Sequence, residues 1–183
     1  MLNTTYPSYR GQILVLTYPM QGNHGVPAGP CESERVQVAG LVIARLAVRP
    51  THEGMRQDLA AWLRAAGVPA LEGVDTRAIT RRLRASATMR GGLRGAWSNA
   101  GTAPVVDMTT VAQQVTAAGI TEDAEGARRV LVIDCGTKRS IVASLRERGL
   151  AVVRAAFSEP WGSRSATARR TSPCSTSTPA APS

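Results

Sequence analysis

The sequence predicts an α/β protein built in two parts. Runs rich in Val, Ile and Leu at residues 12–18 and 36–46 are typical of buried strands. A stripe of apolar residues at helical spacing follows at residues 55–66. Residues 130–153 read as strand, turn, helix and a second strand, which is the pattern of a βαβ unit in a parallel sheet. Strands that alternate with helices define the α/β class.

Two helices are predicted from apolar spacing alone. The first covers residues 55–66 and ends at Gly67, because glycine commonly terminates a helix. Its apolar stripe consists of Met55, Leu59, Trp62 and Leu63. The second covers residues 108–118, with Val111 and Val115 facing inward.

A third helix is predicted from its cap. Asp75 follows a glycine turn and precedes Ile79 and Leu83 at i, i+4 spacing, as an N-cap aspartate does. The polar face of this helix carries Arg77, Arg81, Arg82 and Arg84. Four guanidinium groups in two turns repel one another unless an acidic surface faces them. A solvated arginine face is the commoner outcome for such a run.

Several motifs occur in an order that points to one family. Residues 7–19 read Pro-Ser-Tyr-Arg-Gly-Gln-Ile-Leu-Val-Leu-Thr-Tyr-Pro and lead into a Gly-Asn-His-Gly loop. Glu-Ser at 32–33 precedes Gly-Leu-Val at 40–42, Val-Asp-Thr-Arg follows at 74–77, and Asp-Cys-Gly-Thr-Lys stands at 134–138. This series resembles the small, glutamine-hydrolysing subunit of carbamoyl phosphate synthase, from about Pro7 to about Val153.

The resemblance implies a domain plan. Residues 1–118 are expected to form the subunit's N-terminal β/β/α-type domain without its first strands, and residues 119–128 a linker. Residues 129–154 are expected to begin a class I glutamine amidotransferase domain as one truncated βαβ unit. Residues 155–183 lack apolar periodicity and predict a disordered tail. We expect a reading-frame shift between Arg154 and Trp161, with a genuine disordered tail as the alternative.

The resemblance also implies an activity and a partner. Subunits of this family release ammonia from glutamine and pass it to a large subunit, which makes carbamoyl phosphate for arginine and pyrimidine synthesis. Their nucleophile is a cysteine in a Gly-x-Cys-x-Gly-His-Gln elbow, and that motif does not occur in this sequence. By resemblance, Ser8 contacts the polar end of glutamine. Without the resemblance, Ser8 is a turn serine after Pro7.

The cysteines and histidines of the sequence do not have the setting of a nucleophile. A catalytic thiolate needs an imidazole within hydrogen-bond reach. Cys31 and Cys174 lie in Pro-rich or Ser-rich segments, Cys135 follows a strand, and His24 and His52 lie on predicted loops. We therefore assign no catalytic residue and predict a chain that is inactive in glutamine hydrolysis on its own.

Composition restricts the partners. A net charge of +9 and a pI of about 10.9 invite a nucleic-acid hypothesis. However, Lys138 is the only lysine and aromatic residues make up 4% of the chain, so bases have few stacking partners. The predicted partner is instead the large subunit, which the Arg77–Arg84 face would meet if the subunit is acidic.

Two other readings stay open: a large-subunit-binding domain without chemistry, and a basic nucleic-acid binder. We expect no metal or cofactor in this chain, with ATP and metal ions on the large subunit. No apolar run approaches a membrane span, and three irregularly spaced cysteines favour the reducing cytoplasm.

Overall fold

The structure is a computed structural model that describes residues 3–50, 52–95, 106–123, 126, 128–160 and 162. These residues fall into two compact units. The first contains the described residues up to Val115 together with Gly136–Ile141. The second contains Thr116–Cys135 and the described residues from Val142 onward. Both units mix helices and strands, so the predicted α/β class is confirmed, whereas the named domain plan stays a prediction.

A parallel sheet forms the centre of the first unit. Its strands are β1 (Ile13–Val15), β3 (Gly40–Val42) and β5 (Ala70–Leu71), in the order β1-β3-β5. The strands are shorter than the runs at 12–18 and 36–46 that predicted β1 and β3. All three residues of β3 are buried, which fits a central strand with neighbours on both edges.

Strands β2 (Val26–Pro27) and β4 (Met55–Gln57) form an antiparallel ribbon, so the first predicted helix begins too early in the chain. Helix α1 is Leu59–Ala65, not 55–66, because Asp58 caps it: the Asp58 carboxylate accepts a hydrogen bond from the Ala61 N–H at 2.7 Å. Met55 therefore belongs to a strand. The predicted end is confirmed, since Gly67 follows the C-cap with a φ of 66°.

The core of the first unit joins the sheet to α1. It consists of Val36, Val38, Leu41, Ile43, Leu59 and Leu63. Trp62 packs against this cluster while remaining partly exposed. Three of the four residues of the predicted stripe thus contact or form the core, and burial of this apolar area is the main force that holds α1 on the sheet.

Two further helices complete the first unit. Helix α2 is Thr76–Ser86 and begins at the predicted cap, where the Asp75 carboxylate accepts from the Ala78 N–H at 2.9 Å. Helix α3 is only Val111–Val115, within the predicted 108–118. Single 3₁₀ turns at Asn3–Thr5 and Pro7–Tyr9 precede the sheet.

The second unit is built on a three-stranded sheet. Its strands are β6 (Ile120–Asp123), β7 (Arg128–Asp134) and β8 (Leu150–Ala156), in the order β6-β8-β7. Helix α4 (Arg139–Glu147) connects β7 to β8, which run parallel as predicted for a βαβ unit. Strand β6 joins the other edge of β8 in antiparallel orientation. The central strand β8 carries the most buried apolar residues of this unit, including Val152 and Val153.

Two segments that were expected to be irregular contain strand residues. The segment expected to be a linker contains β6, because its residues find backbone partners along β8. Strand β8 also extends through Ala155 and Ala156 into the expected tail, and both residues are buried. Residue 161 and residues 163–183 of that tail lie outside the described residues. No helix among the described residues is long and apolar enough to cross a membrane.

Candidate functional site

Ser8 lies in the exposed 3₁₀ turn Pro7–Tyr9. Proline at the first position presets the backbone of the turn, and the Ser8 carbonyl accepts a hydrogen bond from Gln12 Nε2 at 2.9 Å. The rings of Tyr6 and Tyr9 stack with their centroids 5.8 Å apart. Ser8 itself is exposed, and within the described residues no hydrogen bond of its hydroxyl is found. The turn therefore presents this hydroxyl to solvent.

Lys138 and Glu32 hold the start of helix α4 within the first unit. The Lys138 Nζ lies 4.3 Å from the centroid of the Tyr6 ring, a cation–π contact. The buried Glu32 accepts from the backbone of α4 twice: its carbonyl from Arg139 N–H at 3.1 Å and its carboxylate from Ser140 N–H at 3.0 Å. The carboxylate thus serves a helix N-terminus, where negative charge is favourable. Lys138 precedes the helix, as its sequence position predicts.

The described cysteines and histidines do not form a cysteine–histidine pair. Cys31 is partly buried and Cys135 is exposed, and neither is hydrogen-bonded to a histidine in the described chain. Cys174 lies outside the described residues. The rings of His24 and His52 are 5.3 Å apart, and His52 Nδ1 accepts from Gly54 N–H at 3.1 Å. No group of three His, Cys, Asp or Glu side chains suited to a metal ion occurs within the described ranges.

The His52 hydrogen bond defines its tautomer. A ring nitrogen that accepts a hydrogen bond carries no proton, so the neutral His52 ring bears its proton on Nε2. The two histidines border a cavity of about 630 Å³ whose lining also includes Thr4, Thr17 and Tyr18. This cavity has an apolar floor at Leu41 and Leu59, which already belong to the core.

Three of the four arginines of α2 border an open groove of about 520 Å³. Its lining residues are Thr17, Asp75, Arg77, Thr80, Arg81 and Arg84, and we call it the arginine groove. Among the described residues, Asp75 is the only acidic one that lines the groove, and its Oδ1 already accepts a hydrogen bond from the helix backbone. In the part of the chain that the structure describes, no ion pair is formed by Arg77, Arg81 or Arg84. The groove is therefore strongly basic.

The closely spaced arginines destabilise helix α2 when it is considered by itself. Arg77 and Arg81 stand at i and i+4 on one face, where like charges oppose helix formation by roughly 0.2–0.5 kcal/mol per pair. The Asp75 cap stabilises the same helix by about 1 kcal/mol. Ile79 and Leu83 on the opposite side are half-buried as predicted, so packing supports the helix despite its charge.

A second pair of arginines anchors helix α3. Arg10 Nε donates to Gln114 Oε1 at 3.0 Å, and an Arg35 guanidinium nitrogen donates to the Gln114 carbonyl at 3.1 Å. Desolvation by partial burial lowers the pKa of Arg10, and the nearby charge of Arg35 lowers that pKa further. Such a guanidinium nevertheless keeps its charge at neutral pH. These arginines are used inside the unit, unlike those of the arginine groove.

Sequence reasoning found some of these residues and missed others. It identified Ser8, the Asp75 cap and the arginines of α2. It did not assign a role to Thr17, which the fold places beside α2, or to the paired rings of His24 and His52, which are far apart in sequence. Only the Glu32-Ser33 motif hinted at Glu32. Nothing local in the sequence shows that its carboxylate reaches residue 140.

The fold and groove together define a class: an α/β module with a basic helical face and, among its described residues, no assembled nucleophile. Comparison with known proteins then identifies the family. Residues 3–93 match the family model described as carbamoyl-phosphate synthase small chain, CPSase domain. The carbamoyl phosphate synthase small chain of Methanopyrus kandleri is 38% identical over 159 residues, which cover 81% of this chain and 44% of that protein.

Similar relatives occur in other lineages. The arginine-specific small chain of Bacillus subtilis is 36% identical, with 81% of this chain and 41% of that protein covered. The arginine-specific small chain of Yarrowia lipolytica is 36% identical, with 81% and 37% covered. The chain belongs to the carbamoyl phosphate synthase small-chain family, and it spans less than half the length of these curated relatives.

Proposed function

We propose that this chain serves glutamine-dependent carbamoyl phosphate synthase as the part of the small chain that binds the large chain. The observation that carries the proposal is the match of residues 3–93 to the small-chain CPSase domain. That stretch contains the sheet, core and arginine groove of the first unit. In this proposal, glutamine supplies ammonia, and ATP and its metal ions bind to the large chain.

Within this proposal, the residues of this chain do not themselves hydrolyse glutamine. The reaction needs a thiolate whose proton an adjacent imidazole removes. Cys31 and Cys135 have no such hydrogen bond among the described residues, and the described histidines contact each other instead. The free thiols of Cys31 and Cys135 agree with a reducing cytoplasm, where we place the chain.

Ser8 is proposed to bind the polar end of glutamine when a complete amidotransferase site is present. Its hydroxyl is exposed on a turn that Pro7 and the Gln12 hydrogen bond hold in shape. A hydroxyl both donates and accepts, so it suits either an ammonium or a carboxylate. We further propose that residues 1–118 form the N-terminal domain and that residues 129–154 begin the amidotransferase domain.

Binding and hydrolysis are tested together. The chain and the large chain from the same genome are purified, mixed and passed over a sizing column, and ammonia release from glutamine is measured for each sample. We expect co-elution and no ammonia release above a protein-free control. Failure to co-elute contradicts the proposed partner. Ammonia release by the chain alone contradicts the proposed division of labour. As a control, synthesis of carbamoyl phosphate from added ammonia shows that the purified large chain is active.

Ser8 is tested in a complete small chain that carries this region. The Ser8→Ala variant is expected to raise the KM for glutamine roughly two- to tenfold, which corresponds to the loss of one hydrogen bond. The control is Ser8→Thr, which keeps the hydroxyl. An unchanged KM in Ser8→Ala would reduce Ser8 to a turn residue.

A further inference from the structure

The arginine groove continues into an exposed loop. Thr17 lines the groove, and the residues that follow it, Tyr18, Pro19 and Met20, are all exposed. Tyr18 is 68% exposed and Met20 is 37% exposed. The first unit therefore presents a basic helix face that meets this loop at Thr17, and the Tyr18 and Met20 side chains line the neighbouring cavity bordered by the two histidines, which Thr17 also lines. We call the groove and this loop together the basic surface.

The composition of the basic surface is that of a protein interface. Arg, Tyr and Met are enriched at the centres of protein–protein contacts, and Tyr and Arg carry much of the binding energy there. The groove arginines have no acidic partner among the described residues. A partner with carboxylates therefore gains ion pairs without first displacing internal ones.

The spacing of the arginines favours an extended acidic segment over a single phosphate. Arg77 and Arg84 are seven residues apart in α2, or about 10.5 Å along the helix axis. One phosphate group is too small to contact guanidinium groups along that whole length. Carboxylates that recur along a helix or strand match such a row, and Arg binds carboxylates in bidentate geometry.

We infer that the basic surface is where this chain docks onto the large chain, through a row of carboxylates beside an apolar patch that receives Tyr18. The inference rests on the proposed function, because it takes the large chain as the partner. It adds the surface, the residues and the chemistry of the complementary patch. Arg82, which is exposed on α2 but does not line the groove, has no part in this contact.

The test compares charge reversals on one helix. Binding of the full chain to the large chain is measured by biolayer interferometry for the native chain, for R77E/R81E/R84E and for the matched control R82E. Arg and Glu have similar helix propensity, so α2 is expected to persist, and circular dichroism checks this. We expect the Kd to rise at least about tenfold in the triple variant and less than about twofold in R82E.

Two more variants separate charge from folding and from apolar contact. If the triple reversal unfolds, R77Q/R81Q/R84Q removes the charges without reversing them and is expected to raise the Kd in the same direction. Tyr18→Ala is expected to raise the Kd at unchanged net charge. Equal binding by native, triple-neutral and Tyr18→Ala chains would overturn the inference.

The outcomes also separate this inference from the proposed function. If the native chain binds the large chain and the triple variant binds equally well, the partner stands and the surface is wrong. If the native chain does not bind, both are wrong. A last experiment measures the binding of a labelled single-stranded RNA to the native chain and to the triple variant. If the RNA binds the native chain and not the triple variant, while large-chain binding is unchanged, the surface is a nucleic-acid site and the inference is overturned.

Discussion

Leu41 is a large, fully buried side chain at the centre of the first unit, with 0% of its surface exposed. It lies in β3, between β1 and β5, and forms part of the core with Leu59 and Leu63. We expect Leu41→Ala to lower the free energy of unfolding by roughly 2–5 kcal/mol, because the substitution removes apolar contacts and leaves a cavity. Urea denaturation monitored by circular dichroism measures the change.

The matched control for Leu41→Ala is an exposed apolar residue. Val48 is 92% exposed, so Val48→Ala is expected to change the free energy of unfolding by less than about 0.5 kcal/mol. A loss at Val48 as large as that at Leu41 would show that the core described for this unit is wrong.

Asp107 shows how a single exposed carboxylate responds to local hydrogen bonds. The Thr109 hydroxyl donates to Asp107 Oδ1 at 2.7 Å, and the Thr109 N–H donates to the same atom at 2.9 Å. These bonds hold the pKa of Asp107 below its ordinary value, the side-chain bond having the larger effect. Because the folded pKa is lowered, the stabilisation is present at neutral pH and is lost as pH falls through that lowered pKa.

We expect Thr109→Val to raise the pKa of Asp107 towards its ordinary value, since the hydroxyl donor is lost and the backbone donor remains. A titration of the carboxyl carbon by NMR measures the pKa directly. Thr110→Val, whose hydroxyl donates to the Asp107 backbone carbonyl instead, is the control. A pKa that stays low in Thr109→Val would assign the effect to the backbone bond.

Helix α2 has a stabilising cap at its N-terminus and a strained backbone at its C-terminus. Asp75 caps its start, whereas Ala87 at its C-cap has a φ of 59°, a region that residues with a Cβ rarely adopt. We expect Ala87→Gly to raise the free energy of unfolding by roughly 1 kcal/mol, because glycine removes the clash of the Cβ. Thermal unfolding of the full chain measures the shift.

Ala85→Gly is the control for this element. Ala85 is exposed inside α2, two residues earlier, and glycine there is expected to destabilise the chain by roughly 0.5–1 kcal/mol. Opposite signs at two neighbouring alanines would establish that the backbone conformation at residue 87, and not glycine itself, has the effect. Equal destabilisation at both would contradict the strained C-cap.

The elements that the sequence predicts well are those with a local signal. Asp75 and Gly67 mark helix ends through their own backbone and side-chain hydrogen bonds, and both predictions are confirmed. The signal at Asp58 was equally local, but the apolar spacing of Met55 with Leu59 hid it. Strands β2, β4 and β6 form through pairing with distant segments, and two to four residues hold no period from which to predict them.

In the candidate site, too, the features with a local sequence signal are predicted and those that depend on distant segments are not. The three arginines that line the groove share one face because of helical spacing, so the sequence predicts their grouping. Arg82, which was predicted to lie on the same face, does not line the groove. The approach of Thr17 to that face depends on β1 lying in the sheet beside which α2 packs. No local pattern contains that information. The role of Ser8, by contrast, came from the resemblance and not from spacing, and it stays a prediction.

At the scale of the whole molecule, charge is the dominant property. The chain carries a net charge of +9, and Arg77, Arg81 and Arg84 of α2 lie on one exposed face. A field of this sign attracts an acidic partner over several Ångströms and raises the rate of encounter. Salt screens that attraction over a Debye length of about 8 Å at physiological ionic strength.

If the large chain is the partner, as proposed, we expect salt to change the rate of association with it more than the rate of dissociation. Raising the salt from about 0.05 M to about 0.5 M is expected to lower the association rate constant by roughly tenfold, while the dissociation rate constant changes less, because steering acts before the surfaces touch. Interferometry at several salt concentrations measures both rates. The Arg77, Arg81 and Arg84 triple-neutral variant should show a shallower dependence of the association rate on salt. A dependence that appears only in dissociation would contradict electrostatic steering and assign the arginines to close contacts alone.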